Sequence, residues 1–122
     1  MKLILIRGLP GSGKSTKAKT YQAKHVEADM YFVDAQGHYK FDPTQLPQAH
    51  SWCQKQAETW LQQGESVVVS NTFVKQWEMT FYRKLAKRYQ AELVIEVCTG
   101  QFGNIHGVSD TVVQRMKRDW QN

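Results

Sequence analysis

The chain has 122 residues and a formal net charge of +5, with 41% hydrophobic and 22% charged residues. That composition suits one globular domain with its own core and excludes a disordered, collagen-like or disulfide-stapled chain; no apolar run approaches the roughly 20 residues that span a bilayer. The excess positive charge favours polyanionic partners, nucleotide and nucleic acid among them, without naming one.

In chain order, residues 3–6 (LILI) read as a short buried strand, and Arg7 breaks the run too early for a secretory signal. A single domain over residues 1–122 in a soluble, cytoplasmic protein is the expectation. Residues 14–24 have helical composition, and residues 25–28 read as a weak second strand ending at Asp29. Residues 30–47 are polar, aromatic and turn-rich, a long connection of the kind that often carries function. Residues 48–63 place Ala49, Cys53, Ala57 and Leu61 at helical spacing, and Gly64 stops that helix. Residues 66–69 (SVVV) are the clearest strand, and residues 75–89 form a helix with Arg83, Lys84, Lys87 and Arg88 on a solvated face. Residues 93–97 read as a strand, a glycine-rich stretch follows, and Ser109 is a good N-cap for a last helix over 110–120. Cys53 and Cys98 match no CxxC spacing and form no zinc pattern with the four histidines, so they read as reduced thiols. Alternation of strand and helix predicts a parallel sheet with helices on both faces; its strand C-terminal ends share one edge, where ligands bind.

The first strand runs into Gly8-Leu-Pro-Gly11-Ser12-Gly13-Lys14-Ser15, which fits G-x-x-x-x-G-K-[ST] between a strand and a helix. Glycines let the backbone approach an anion closely, and the N–H groups of residues 11–15 can converge on it as a nest, reinforced by the first helical turn. Lys14 supplies a point charge for β- and γ-phosphates, and the Ser15 hydroxyl is the expected Mg²⁺ ligand. Thr16 either bonds the α-phosphate or caps and packs. The nucleotide-binding set is therefore Gly8, Gly11, Ser12, Gly13, Lys14, Ser15 and Thr16, and the ligand a nucleoside triphosphate.

Beyond this loop, the "EAD" that closes the second strand, "VVVSNT", "NIHGV" and the last "QRMK" helix resemble the polynucleotide-kinase-like P-loop kinases over nearly the whole chain. The resemblance implies a P-loop NTPase three-layer α/β sandwich with a small, mostly parallel four-stranded sheet. It implies ATP and Mg²⁺ as cofactors, and transfer of the γ-phosphoryl group to a hydroxyl of a nucleic-acid 5′ end or a small acceptor. It also implies Asp29, with Lys14, as the catalytic pair, Asp29 taking the proton of the attacking hydroxyl.

Three departures from that pattern stand out. The strand that usually ends in a Walker B carboxylate ends here in Ser70, Asn71 and Thr72. Asn71 and Thr72 either position an acceptor or serve as turn and capping residues. The arginine expected three positions after the aspartate is Phe32, suited to stacking or to the core. The lid, residues 100–108, carries no arginine; Arg115 and Lys117 in the last helix are candidates to substitute, and His106 to touch phosphate or base or simply to shape the turn. These gaps support an alternative reading, a nucleotide-binding regulatory module or weak ATPase with little transfer.

Overall fold

The apolar stretches of β1 (Lys2–Gly8), β3 (Val67–Asn71) and β4 (Glu92–Cys98), with the short β2 (Lys24–Val26), form one four-stranded sheet in the order β2-β3-β1-β4. The computed structural model describes residues 1–103 and 107–122. All three pairings are parallel, with Leu3 opposite Val67 on one side of β1 and Leu93 on the other. β1 and β3 are buried on both faces, which is why they read as unbroken Leu/Ile/Val runs rather than alternating ones.

Alternate residues of these strands feed two cores. On one face Leu3, Leu5, Val67 and Val69 meet α2 (Leu46–Gln62) and α3 (Thr80–Arg88) through Ala49, Cys53, Ala57, Leu61, Tyr82 and Leu85. On the other face Ile4, Ile6 and Val68 meet Ala18 of α1 (Lys14–Ala18) in a smaller cluster. The result is the expected three-layer α/β sandwich. Arg83, Lys84, Lys87 and Arg88 lie on the exposed side of α3. Among the described residues no helix is long and apolar enough to cross a membrane.

Several element boundaries differ from the sequence reading. α1 stops at Ala18 rather than near residue 24, because Lys24 N–H is already bonded to Ser66 O at 2.8 Å and the intervening residues must turn the chain towards the sheet edge. α2 starts at Leu46, with Pro47 in its first turn, where the missing N–H costs nothing. β2 ends at Val26, so Asp29 sits beyond the strand in a 3-10 turn, Ala28–Phe32. The 30–47 connection is also less open than its polarity implied. Phe32 is only 6% exposed and packs edge-on against Tyr31 and Phe41, while Val33 bridges to Tyr39. Phe32 is thus a core residue.

The C-terminus is fastened from within. Arg7, 3% exposed, donates through Nε and Nη2 to Phe73 O at 3.1 and 2.8 Å and through Nη2 to Val74 O at 3.2 Å. It also donates to Gln121 O, and its guanidinium lies 4.3 Å from the Trp120 ring centre beyond α4 (Asp110–Asp119). Phe73 has φ of 46°, a left-handed conformation that costs a bulky residue about 1–2 kcal/mol, and Arg7 binds its carbonyl twice. Arg7→Met keeps the bulk but strands these carbonyls, so a loss of about 3 kcal/mol, or roughly 10 °C in melting temperature, is expected by calorimetry.

Candidate functional site

The C-terminal ends of four parallel strands bring the P-loop, the segment after β2, Ser70 and Cys98 to one edge of the sheet. The P-loop keeps its shape for steric reasons that can be located. A Cβ on Gly8 would come within 2.3 Å of Ser12 Oγ and 2.8 Å of Cys98 O, and Gly13 has φ of 95° as the residue that opens α1. Lys14 Nζ donates to Leu9 O at 3.1 Å, across the loop. Burial draws the Lys14 ammonium below its ordinary value, offset by the charges of Glu27, Cys98 and Asp29.

One of the main-chain donors expected from the motif is already used: Ser12 N–H is bonded to Leu9 O at 3.1 Å. Gly11, Gly13, Lys14, Ser15 and Thr16 donate to no acceptor among the described residues, which leaves their N–H groups available to an anion. Ser12 Oγ is buried without a partner among the described residues. The Thr16 side chain is exposed. Phe102 N–H donates to Gly11 O at 2.8 Å, and the Phe102 ring lies over Gly13, where a Cβ would approach it to 3.0 Å.

The residue that sequence reasoning missed is Glu27. It stands one position past β2, and its Oε1 accepts hydrogen bonds from Ser15 Oγ and, at 2.6 Å, from Ser70 Oγ. His25 Nε2 lies 3.0 Å from the same oxygen and 2.9 Å from Ser70 Oγ. Burial alone would raise this carboxyl, but hydrogen bonds from His25, Ser15 and Ser70 outweigh it and hold Glu27 at about 2. The signal available was a carboxylate in "HVEAD", at the end of a strand bound for the P-loop edge. Since the folded carboxyl titrates at about 2 and its ordinary value is 4.5, Glu27 stabilises the fold fully above pH 4.5, and this is lost as pH falls towards 2. In urea melts run from about pH 6 to pH 2, the wild type is expected to lose roughly 3 kcal/mol more than Glu27→Gln.

The other expected residues separate clearly. Asp29 is half-buried at the same edge and accepts a hydrogen bond from Tyr39 Oη at 3.2 Å. Burial and the Asp29 charge push Tyr39 up to about 12, so its phenol stays protonated and remains a donor. Asn71 is not available to an acceptor: it is 8% exposed, its Oδ1 takes Ala28 N–H at 3.0 Å and its Nδ2 points at Cys53 Sγ. Thr72 is half-buried and lends its carbonyl to Gly8 N–H at 3.2 Å. Arg115 is exposed on α4, and its side chain makes no hydrogen bond or ion pair among the described residues. His106 lies outside the described residues. The donor set beside the P-loop, a serine hydroxyl touching a carboxylate, fits a hard cation such as Mg²⁺, which takes oxygen ligands and one or two carboxylates alongside phosphate oxygens.

A glycine loop joining the central strand of a parallel sheet to a helix, with a lysine folded across it, defines a P-loop nucleotide-binding domain of the small-kinase fold. The chain belongs to the AAA domain family, whose model matches residues 3–101. NEDD4-binding protein 2 of Homo sapiens is 33% identical over 134 residues, a match covering 98% of this chain and 8% of that much longer protein. Among solved structures, a chain of the Pnkp1/Rnl/Hen1 RNA repair complex superposes with a TM-score of 0.71 at 18% identity, covering 97% of this chain and 43% of that one. A gluconokinase from Sinorhizobium meliloti superposes with a TM-score of 0.60 at 18% identity, covering 99% and 75%. At these identities the two structures establish the fold.

Proposed function

We propose that the protein is an ATP- and Mg²⁺-dependent kinase that transfers the γ-phosphoryl group to a hydroxyl acceptor. The observation that carries this reading is that the P-loop, with Lys14 folded across it, and the 3-10 turn carrying Asp29 both follow strands that end at the same edge of the sheet. The open N–H groups around the P-loop cradle the triphosphate and Lys14 neutralises its terminal end. Mg²⁺, held at Ser15 and the phosphates, would offset charge on the β- and γ-phosphoryl oxygens. Asp29 takes the proton of the acceptor hydroxyl as its oxygen bonds to the γ-phosphorus. The bond from that phosphorus to the β–γ bridging oxygen breaks, and ADP leaves.

The acceptor class that the surroundings of Asp29 favour carries a nucleobase. Tyr39, hydrogen-bonded to Asp29, and Phe41 are 39% and 48% exposed, with rings 10° from parallel. Such faces stack on bases without regard to sequence. The likeness to a chain of an RNA repair complex supports the same class. Incubation with γ-labelled ATP and 5′-hydroxyl oligonucleotides, nucleosides or small alcohols tests the reading. Label is expected on a nucleobase-bearing acceptor with the wild type and not with Asp29→Ala; equal labelling by both would refute it.

One observation favours a second reading, a nucleotide-binding regulatory module or weak ATPase. Among the described residues, the part of the lid that lies on the P-loop presents the Phe102 ring and backbone, not a cation. Cationic contacts there are worth about 10³–10⁵ in rate in other P-loop enzymes. Tight ATP binding with no transfer to any acceptor would establish that reading instead.

A further inference from the structure

A P-loop fold ordinarily carries a carboxylate at the end of the strand beside the P-loop strand, where it helps to hold the nucleotide's Mg²⁺. Here that strand is β3, and it ends in the uncharged Ser70 and Asn71. We propose that Glu27, at the end of the neighbouring strand β2, supplies this carboxylate from the other side, with Ser70 and His25 as its positioning residues. This rests on the nucleotide reading above.

The topology makes the exchange possible. β2 pairs with β3 in parallel with Val26 opposite Val69, so the next residue along each strand, Glu27 and Ser70, end side by side. Adjacent strands lie about 4.8 Å apart, and a glutamate has one more methylene than an aspartate with which to reach across that gap. The carboxylate meets Ser15 Oγ, the P-loop hydroxyl expected to bind the cation.

The hydrogen bonds then decide the orientation. Ser15, Ser70 and His25 all converge on Glu27 Oε1. Oε2 accepts none among the described residues and is not a buried orphan, so one carboxylate oxygen keeps its lone pairs open. The backbone beside it is fixed as well, because Asn71 Oδ1 holds Ala28 N–H at 3.0 Å. Asn71 and Ser70, in the "SNT" at the end of β3, thus both act on the segment carrying Glu27. A carboxylate needed only to join β2 to β3 would require no bond to the P-loop serine.

The test is the gain in ATP affinity on adding Mg²⁺, read by calorimetry with and without the metal, and it needs no turnover. In Glu27→Gln this gain is expected to shrink by about 10- to 100-fold, as when a metal-site partner is lost. Its Mg²⁺-free affinity is expected to equal or exceed that of the wild type, because a negative charge facing the triphosphate has gone. A purely structural Glu27 would lower both affinities together, and that result, or an undiminished gain, overturns the proposal. The double variant Glu27→Ser with Ser70→Asp moves the carboxylate back to β3 and is expected to recover the gain. It decides the matter if Glu27→Gln does not fold, and binding ATP without a Mg²⁺ gain would count against the role. A wild type that binds no ATP under either condition overturns the nucleotide reading itself and this inference with it. A wild type that binds ATP beside an unaffected Glu27→Gln overturns the Glu27 role alone.

Discussion

Lys14→Ala is expected to weaken ATP binding by at least about 100-fold, because each charge-assisted hydrogen bond to a phosphate is worth about 1.5–3 kcal/mol and the proposed role has the ammonium serve two phosphates. Lys14 is the cation that the P-loop itself supplies, and it reaches back across the loop to Leu9 O. Burial already works against its charge, and Glu27 and Asp29 sustain it, so the site is built to keep an ammonium where desolvation disfavours one. The substitution removes one hydrogen bond from the folded protein, that to Leu9 O, so melting temperature should hardly move while affinity falls. Titration of a fluorescent ATP analogue measures the effect; an affinity within about threefold of wild type would remove Lys14 from the nucleotide site.

Asp29→Asn separates chemistry from binding. Loss of a general base typically costs about 10²–10⁴ in rate, so kcat for transfer is expected to fall at least about 100-fold. The KM for ATP should stay within about twofold, since the proposed mechanism has the main chain and Lys14, not Asp29, hold the triphosphate. Asparagine preserves the shape and can still accept the bond from Tyr39, so the 3-10 turn should survive the change. A fall in ATP affinity matching the fall in rate would show that Asp29 helps to bind the nucleotide, directly or through the metal. Rate and affinity both unchanged would end its candidacy as the base.

The two experiments bear on different links. The first asks whether the P-loop is a triphosphate site, which family membership already supports. The second asks whether the carboxylate opposite it activates an acceptor, and it distinguishes the kinase from the regulatory module. Tyr39 connects them, because its protonated phenol orients Asp29 while its ring lies beside the exposed Phe41.

The sequence by itself determined the strand–loop–helix that holds Gly8 to Thr16, the parallel order implied by strand and helix alternation, and the two faces of the sheet. Each depends on residues close together in the chain: glycine where a Cβ would collide, apolar runs where both faces are covered, helical spacing where one face is. The tertiary structure alone decided the early end of α1, the burial of Phe32, the fastening of the C-terminus by Arg7, and the use of Asn71 within the fold. It alone also brought Glu27 against Ser15 and Ser70. Glu27 and Ser70 are 43 residues apart in the chain. Which strand end carries the charge depends on sheet order and register, and those follow from how the strands pack rather than from any local spacing.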